Sequence, residues 1–152
     1  MKHPPFDFDE PEESPGFLLW QTTMTWQRLI KKALEPYGIS HAQFVIMAIL
    51  LWWKKIKKDP AQVDIIGMSR LDKMTVSKSI TKLVSLGLIE RAEHKKDSRA
   101  KVVHLTKSGA VLVSKLIPII EGIDDCFFGQ LRRKQEENLI GVLKTLITRI
   151  RD

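Results

Sequence analysis

Between residues 60 and 109 the spacing of apolar residues changes twice, and this limits the possible folds more than any other feature. Val63, Ile65 and Ile66 fit a short helix that Pro60 can open and that Gly67 and Ser69 break. Asp72 suits the N-cap of a second helix running to about Leu86, with Gly87 at its C′ position. The period then shortens. Residues 88–93 and 101–105 read as two short strands joined by a polar segment, which makes a β-hairpin. Thr106 caps a long helix from Lys107 to about Leu131, which Pro118 should kink.

Helical patterns flank this block. Residues 1–16 carry four prolines among acidic residues and read as a mobile or extended arm. Apolar residues from Phe17 to Leu34 recur at helical spacing and stop at Pro36 and Gly38. Ser40 and Gln43 form a capping box for a helix holding Phe44, Met47, Ala48, Leu51 and Trp52. That helix ends in Lys54, Lys55, Lys57 and Lys58, where cations suit the carbonyl end of the helix dipole. A last helix spans residues 134–151, with Leu139, Val142, Leu143, Leu146, Ile147 and Ile150 along one side. The fold class is therefore mainly α with a small β-hairpin.

The formal net charge is +7 over 152 residues, and it is unevenly spread. Residues 1–16 carry −4, whereas residues 70–101 hold nine Lys or Arg against four acidic groups. A basic central segment suits a polyanionic partner, because cations displace condensed counterions from phosphate. The single cysteine, Cys126, cannot form an internal disulfide, so a reducing compartment is expected. With a polar, acidic N-terminus and no long apolar run, a cytoplasmic protein without a membrane span is the simplest expectation.

A short helix, a tight turn and a second helix make a helix-turn-helix, whose second helix can enter the major groove of DNA. Val76, Ile80, Leu83 and Gly87 share one stripe of that helix and should face the core. Met74, Lys78, Thr81, Lys82 and Ser85 fall opposite, with Thr75 and Ser77 on the flanks. Cations on this outer face can meet phosphates or guanine edges, and hydroxyls can meet base or phosphate. Periodicity alone fits an ordinary solvated helix face as well. The hairpin favours the DNA reading. Its tip carries Arg99, suited to a minor groove and able to be aimed by Asp97, and Lys95 and Lys96, suited to phosphates.

Four segments resemble the MarR family of bacterial regulators. They are Asp72-Lys-Met-Thr-Val-Ser77, Leu83-Val-Ser-Leu-Gly87-Leu-Ile-Glu-Arg91, Asp97-Ser-Arg99-Ala100 and Leu105-Thr-Lys-Ser-Gly109. The resemblance implies a winged helix-turn-helix in a triangular homodimer whose terminal helices interlock and whose two modules read a palindromic double-stranded DNA operator. It implies that Thr75, Ser77, Lys78 and Lys82 face the major groove and Arg99 the minor groove. The family often has Arg where Lys78 or Lys82 stands here, and Lys lacks the bidentate fork for guanine. Many members lose DNA affinity when a small phenolic or aromatic compound binds between the dimer helices and the DNA-binding lobe. Trp20, Trp26, Met47 and Trp52, with Trp53, are the residues that can line such a pocket, although core or dimer interface is the commoner fate of such a stripe. Some members sense oxidants through a cysteine near the N-terminus, where this chain has none; Cys126 is expected to be a buried, inert thiol.

The expected organisation is an arm over 1–16, scaffold and dimerisation helices over 17–58, a DNA-binding lobe over 59–106 and dimerisation helices over 107–152. His3, His41, His94 and His104 lack metal-ligand spacing, although His94 and His104 can approach each other across the hairpin. No phosphate-cradling glycine loop or nucleophile elbow is present, and Asp124 and Asp125 are adjacent on a helix, so their carboxylates diverge. The expectation is a transcriptional regulator, most simply a repressor, with no cofactor, metal or catalytic residue. The rival is a protein-interaction module, antirepressor-like, that keeps the fold without DNA binding; it would carry a neutral second helix and hairpin.

Overall fold

Local capping sets most of the element boundaries in the computed structural model, which describes residues 5–93 and 101–150. The Ser14 hydroxyl accepts from the Phe17 N–H and starts α1, Pro15–Leu34. The helix therefore begins inside the stretch expected to be arm, and residues Pro11–Glu13 before it form one 3-10 turn. Pro15 at the first helical position needs no N–H partner, which explains the early start. A second 3-10 turn, Glu35–Tyr37, ends at Gly38 in the left-handed conformation. The chain direction changes by 81° on passing into α2, His41–Lys55. Both halves of the Ser40–Gln43 capping box are made.

The short helix differs from the sequence expectation. Pro60 does not open it. Pro60 is buried, its carbonyl accepts from the Val103 N–H, and Ala61 bridges Val102 as a third edge of the hairpin. Helix α3, Gln62–Ser69, starts after this edge, with the Asp64 carboxylate accepting from the Ala61 N–H. Gly67 lies inside the helix, and the break falls at Arg70, which takes the left-handed conformation with φ 61. Val63 is 71% exposed and is not part of the core.

Asp72 caps α4, Lys73–Ser85, and Gly87 follows at φ 70, a backbone conformation that glycine adopts without steric cost. Strands β1, Ile89–Glu93, and β2, Lys101–Leu105, pair antiparallel with Ile89 opposite Leu105 and Glu93 opposite Lys101. Helix α5 spans Lys107–Phe128 and includes Pro118. It ends three residues before the expected Leu131, where the Gly129 N–H closes onto the Asp125 carbonyl. Helix α6, Arg133–Arg149, follows.

One core joins these elements. Ile30 and Leu34 of α1, Ile46 and Met47 of α2, Ile65 of α3, Val76, Ile80 and Leu83 of α4, and Val113 and Leu116 of α5 are fully buried. Each such side chain contributes about 1.5–3 kcal/mol on burial. Helix α6 buries none of its residues within one chain, and its Ile140, Val142, Leu146 and Ile147 stay exposed. Cys126, expected to be buried, is exposed, since it lies on the outer side of α5 away from the core stripe of Val113, Leu116 and Ile120. Among the described residues no single helix is long and apolar enough to cross a membrane.

The wing is fastened at its base by a small cluster. The Thr106 N–H donates to the Leu88 carbonyl at 3.0 Å, and the Thr106 hydroxyl donates to the Gly87 carbonyl at 2.6 Å. The same hydroxyl oxygen accepts from the Gly109 N–H at 3.0 Å, which caps α5. A Cβ on Gly109 would overlap the Leu88 carbonyl. Gly109→Ala should therefore cost about 3 kcal/mol in urea unfolding, as overpacking does. Gly67→Ala meets open space inside α3 and should instead raise stability by about 0.5–1 kcal/mol.

Candidate nucleic-acid interface

The outer side of α4 is polar because its inner stripe is consumed by the core. Val76, Ile80 and Leu83 are fully buried, together with the small polar Ser79. Helical geometry then turns Met74, Lys78, Thr81, Lys82 and Ser85 outward, and all five are exposed. Thr75 and Ser77 sit half-buried on the flanks. Met74, with 66% of its surface exposed, is an apolar group presented to solvent at the start of the helix.

Three of these side chains already have protein partners, the simplest being Ser85, whose hydroxyl donates to the Lys82 carbonyl at 2.6 Å. The Thr75 N–H donates to Asp72 Oδ1 and its hydroxyl donates to Asp72 Oδ2, each at 2.7 Å. These bonds, the hydroxyl first, hold the Asp72 carboxyl below its ordinary value. Thr81 Oγ1 accepts from Arg91 Nη2 at 3.2 Å, which ties α4 to β1 of the wing. Arg91 is exposed, and its remaining guanidinium N–H groups have no protein partner among the described residues. The sequence reading did not single it out as a candidate. The signal was its period-2 position, since Arg91 lies opposite Val103 and so shares the strand face that packs toward α4. Lys95, Lys96, Arg99 and His94 lie outside the described residues. His104 Nε2 is 3.8 Å from Asp59 Oδ1.

The aromatic candidates separate. Met47 is fully buried in the core, as Trp53 nearly is. Trp20 is 62% exposed on α1. Trp52 lines a shallow groove with Ala48, Leu51, Ile117 and Glu121, and Lys55 Nζ lies 5.2 Å over its ring. Trp26 belongs to a polar junction between α1, α2 and α5. Its indole N–H donates to Asp124 Oδ1 at 2.8 Å, and its ring meets His41 edge-on at 5.2 Å.

A helix-turn-helix with an outward polar second helix, fastened to a two-stranded wing, defines a winged helix-turn-helix. Residues 35–122 match the family described as ArnR1-like, winged-helix domain. The uncharacterised HTH-type transcriptional regulator YdcH of Bacillus subtilis (strain 168) is 35% identical over 140 residues, which cover 92% of this chain and 94% of that one. Among solved structures, a mutant MarR from E. coli complexed with operator DNA superposes with a TM-score of 0.77 at 23% identity, over 89% of this chain and 95% of that one. Bordetella bronchiseptica BpsR, studied for regulation of its DNA binding by 6-hydroxynicotinic acid, gives 0.80 at 24% identity, over 97% and 100%. The chain belongs to the MarR family of winged-helix transcriptional regulators.

The junction around Trp26 holds one titratable group in a shifted state. Burial holds His41 below its ordinary value of 6.5, and the nearby Asp124 charge opposes this only in part. The unfolded chain therefore takes up the proton first. The contribution of this group to stability is therefore complete above pH 6.5 and should be lost as the pH drops below it. Urea midpoints at about pH 7.5 and 5.5 should differ more for the parent than for His41→Gln, which removes this proton uptake.

Proposed function

We propose that this regulator works as a homodimer that inserts α4 of each copy into successive major grooves of a palindromic operator and represses by occupying a promoter. The observation that carries the reading is the outer side of α4, where Lys78, Lys82 and Met74 stand exposed and Thr81 accepts from the Arg91 guanidinium. Lysines serve phosphates, and Met74 suits a thymine methyl. Lys95 and Lys96 are assigned to phosphates and Arg99 to the minor groove on the Asp97-x-Arg99 pattern. Thr75 and Ser77 are assigned to the edges of the same groove.

The dimer is supported by what one chain leaves uncovered. Phe17, Leu18, Leu19 and Trp20 near the start of α1, and the apolar stripe of α6, are exposed together. A second copy is the natural cover for stripes of this extent. Release by a small phenolic or aromatic effector is supported by the regulation described for BpsR. Trp20, Trp26 and Trp52 are the side chains assigned to that role; Met47 would act only through the core.

Two experiments test these assignments. In gel-shift titrations on a duplex selected from a random pool, Lys78→Ala should lose about 1–3 kcal/mol if it reads a base. If it meets a phosphate, the loss should be uniform across sequences and the salt slope should fall by about 1. Unchanged affinity and slope would remove Lys78 from the interface. In sedimentation equilibrium, Leu146→Asp should shift the protein toward monomer, since a carboxylate on the α6 stripe cannot be buried without a partner.

A further inference from the structure

We propose that Arg70 is a positioning residue that ties the C-terminal end of α6 to the turn between α3 and α4, so that the placement of α6 sets how α4 is presented to DNA. Arg70 Nη2 donates to the Ile147 carbonyl at 3.5 Å, across 77 positions of sequence. Ile147 lies in the last turn of α6, where carbonyls run out of intrahelical donors. The guanidinium also stands at the negative end of the α6 dipole, where a cation is favoured. Among the described residues this is the one hydrogen bond between α6 and any other helix or strand. It is not incidental to an apolar interface. Met68 just before Arg70, and Ile147 and Ile150 at the end of α6, are all exposed, and α6 buries none of its own residues.

The backbone at Arg70 is an independent observation. It takes φ 61 and ψ 13, the left-handed position that closes a helix and that glycine fills without steric cost. An arginine there holds backbone strain that glycine would relieve. Sequence choice at this position works against local stability and supplies a long side chain with a fork of donors. The turn itself is short and bonded. The Arg70 N–H donates to the Ile66 carbonyl at 3.1 Å, and the Leu71 N–H donates to the Ser69 hydroxyl at 3.2 Å. Only Arg70 and Leu71 separate α3 from the Asp72 cap of α4. Such a turn has little slack, so a pull on Arg70 passes to the start of α4.

The two ends of this strut serve different tasks. Helix α4 carries the groups assigned to DNA, and α6 carries the exposed apolar stripe assigned to a second copy. The inference rests on those two assignments. Whatever covers the α6 stripe fixes that helix, and Arg70 carries its placement to the turn. One bond from an exposed guanidinium to a carbonyl is weak enough to be made and broken. Coupling of this size adjusts an affinity without deciding whether the chain folds.

The test joins a contact measurement to a binding measurement, both on the full chain. A nitroxide on Arg149→Cys, in a Cys126→Ser background, should broaden the amide resonances of residues 68–72 in isotope-labelled protein. Arg70→Gly should weaken that broadening. Mixing spin-labelled unenriched chain with enriched unlabelled chain should abolish it, because the contact lies within one copy. On a duplex selected from a random pool, Arg70→Gly should bind about fivefold more weakly with its salt slope unchanged. Its melting temperature should hold or rise, a combination that a merely structural arginine does not give. Arg70→Lys keeps a cation and a donor and should restore affinity to within about twofold. A salt slope lower by about 1 would make Arg70 a phosphate contact and overturn the assignment. So would a melting temperature that falls together with affinity, or Arg70→Gly binding like the parent. Absence of broadening in the parent, or broadening that persists in the mixed protein, overturns it as well. A parent that binds no selected duplex removes the DNA reading and leaves the broadening unaffected, so the two fail separately.

Discussion

The contact between Thr106 and the carbonyls of Gly87 and Leu88 is the constraint on which the rest of the lobe depends. One hydroxyl donates across to the end of α4 and accepts from the first turn of α5. It joins three elements at a point where each would otherwise end in unsatisfied backbone groups. Gly109 permits the approach by lacking a Cβ. The spacing from Leu105 to Gly109 therefore has a steric origin. The strand must finish, the cap must form and the helix must turn a bare backbone toward Leu88 within five residues.

From that anchor the wing and α4 are held twice more. Val103 bonds to Pro60, so the chain before α3 becomes a third edge of the hairpin. Arg91 bonds to Thr81, so β1 follows α4. The long helices α1 and α5 share the apolar core with the lobe through Ile30, Leu34, Val113 and Leu116, and the half-buried polar cluster of Trp26, His41 and Asp124 adds a hydrogen-bonded contact beside it.

Much of this was readable from residues alone. Asp72, Ser40 and Thr106 mark helix starts because a short oxygen-bearing side chain is the cheapest partner for orphan N–H groups. The two faces of α4 followed from a 3.6-residue period, since Val76, Ile80 and Leu83 have a single side to bury. Errors arose where tertiary contact overrode local preference. Pro60 looks like a helix opener but is drawn into the hairpin edge by Val103. Gly67 looks like a breaker, yet the turn is made by Arg70, whose left-handed backbone no propensity favours. Cys126 and the α6 stripe are exposed because no other described element packs over them, a circumstance that apolar periodicity does not encode. Trp20, Trp26, Met47 and Trp52 share a helical rhythm but face different surroundings, because two helices crossing at 81° send one pattern in different directions.

The cap on α4 also fixes a polarity. Thr75 gives its hydroxyl proton to Asp72, so the oxygen that remains has lone pairs and no hydrogen to offer. Toward a nucleobase such an oxygen can only receive. It suits the exocyclic amino groups of adenine and cytosine and is mismatched to the carbonyl edges of guanine and thymine. If α4 enters the groove as proposed, a residue usually indifferent to base identity would in this way be given a preference by an aspartate that need not touch the duplex.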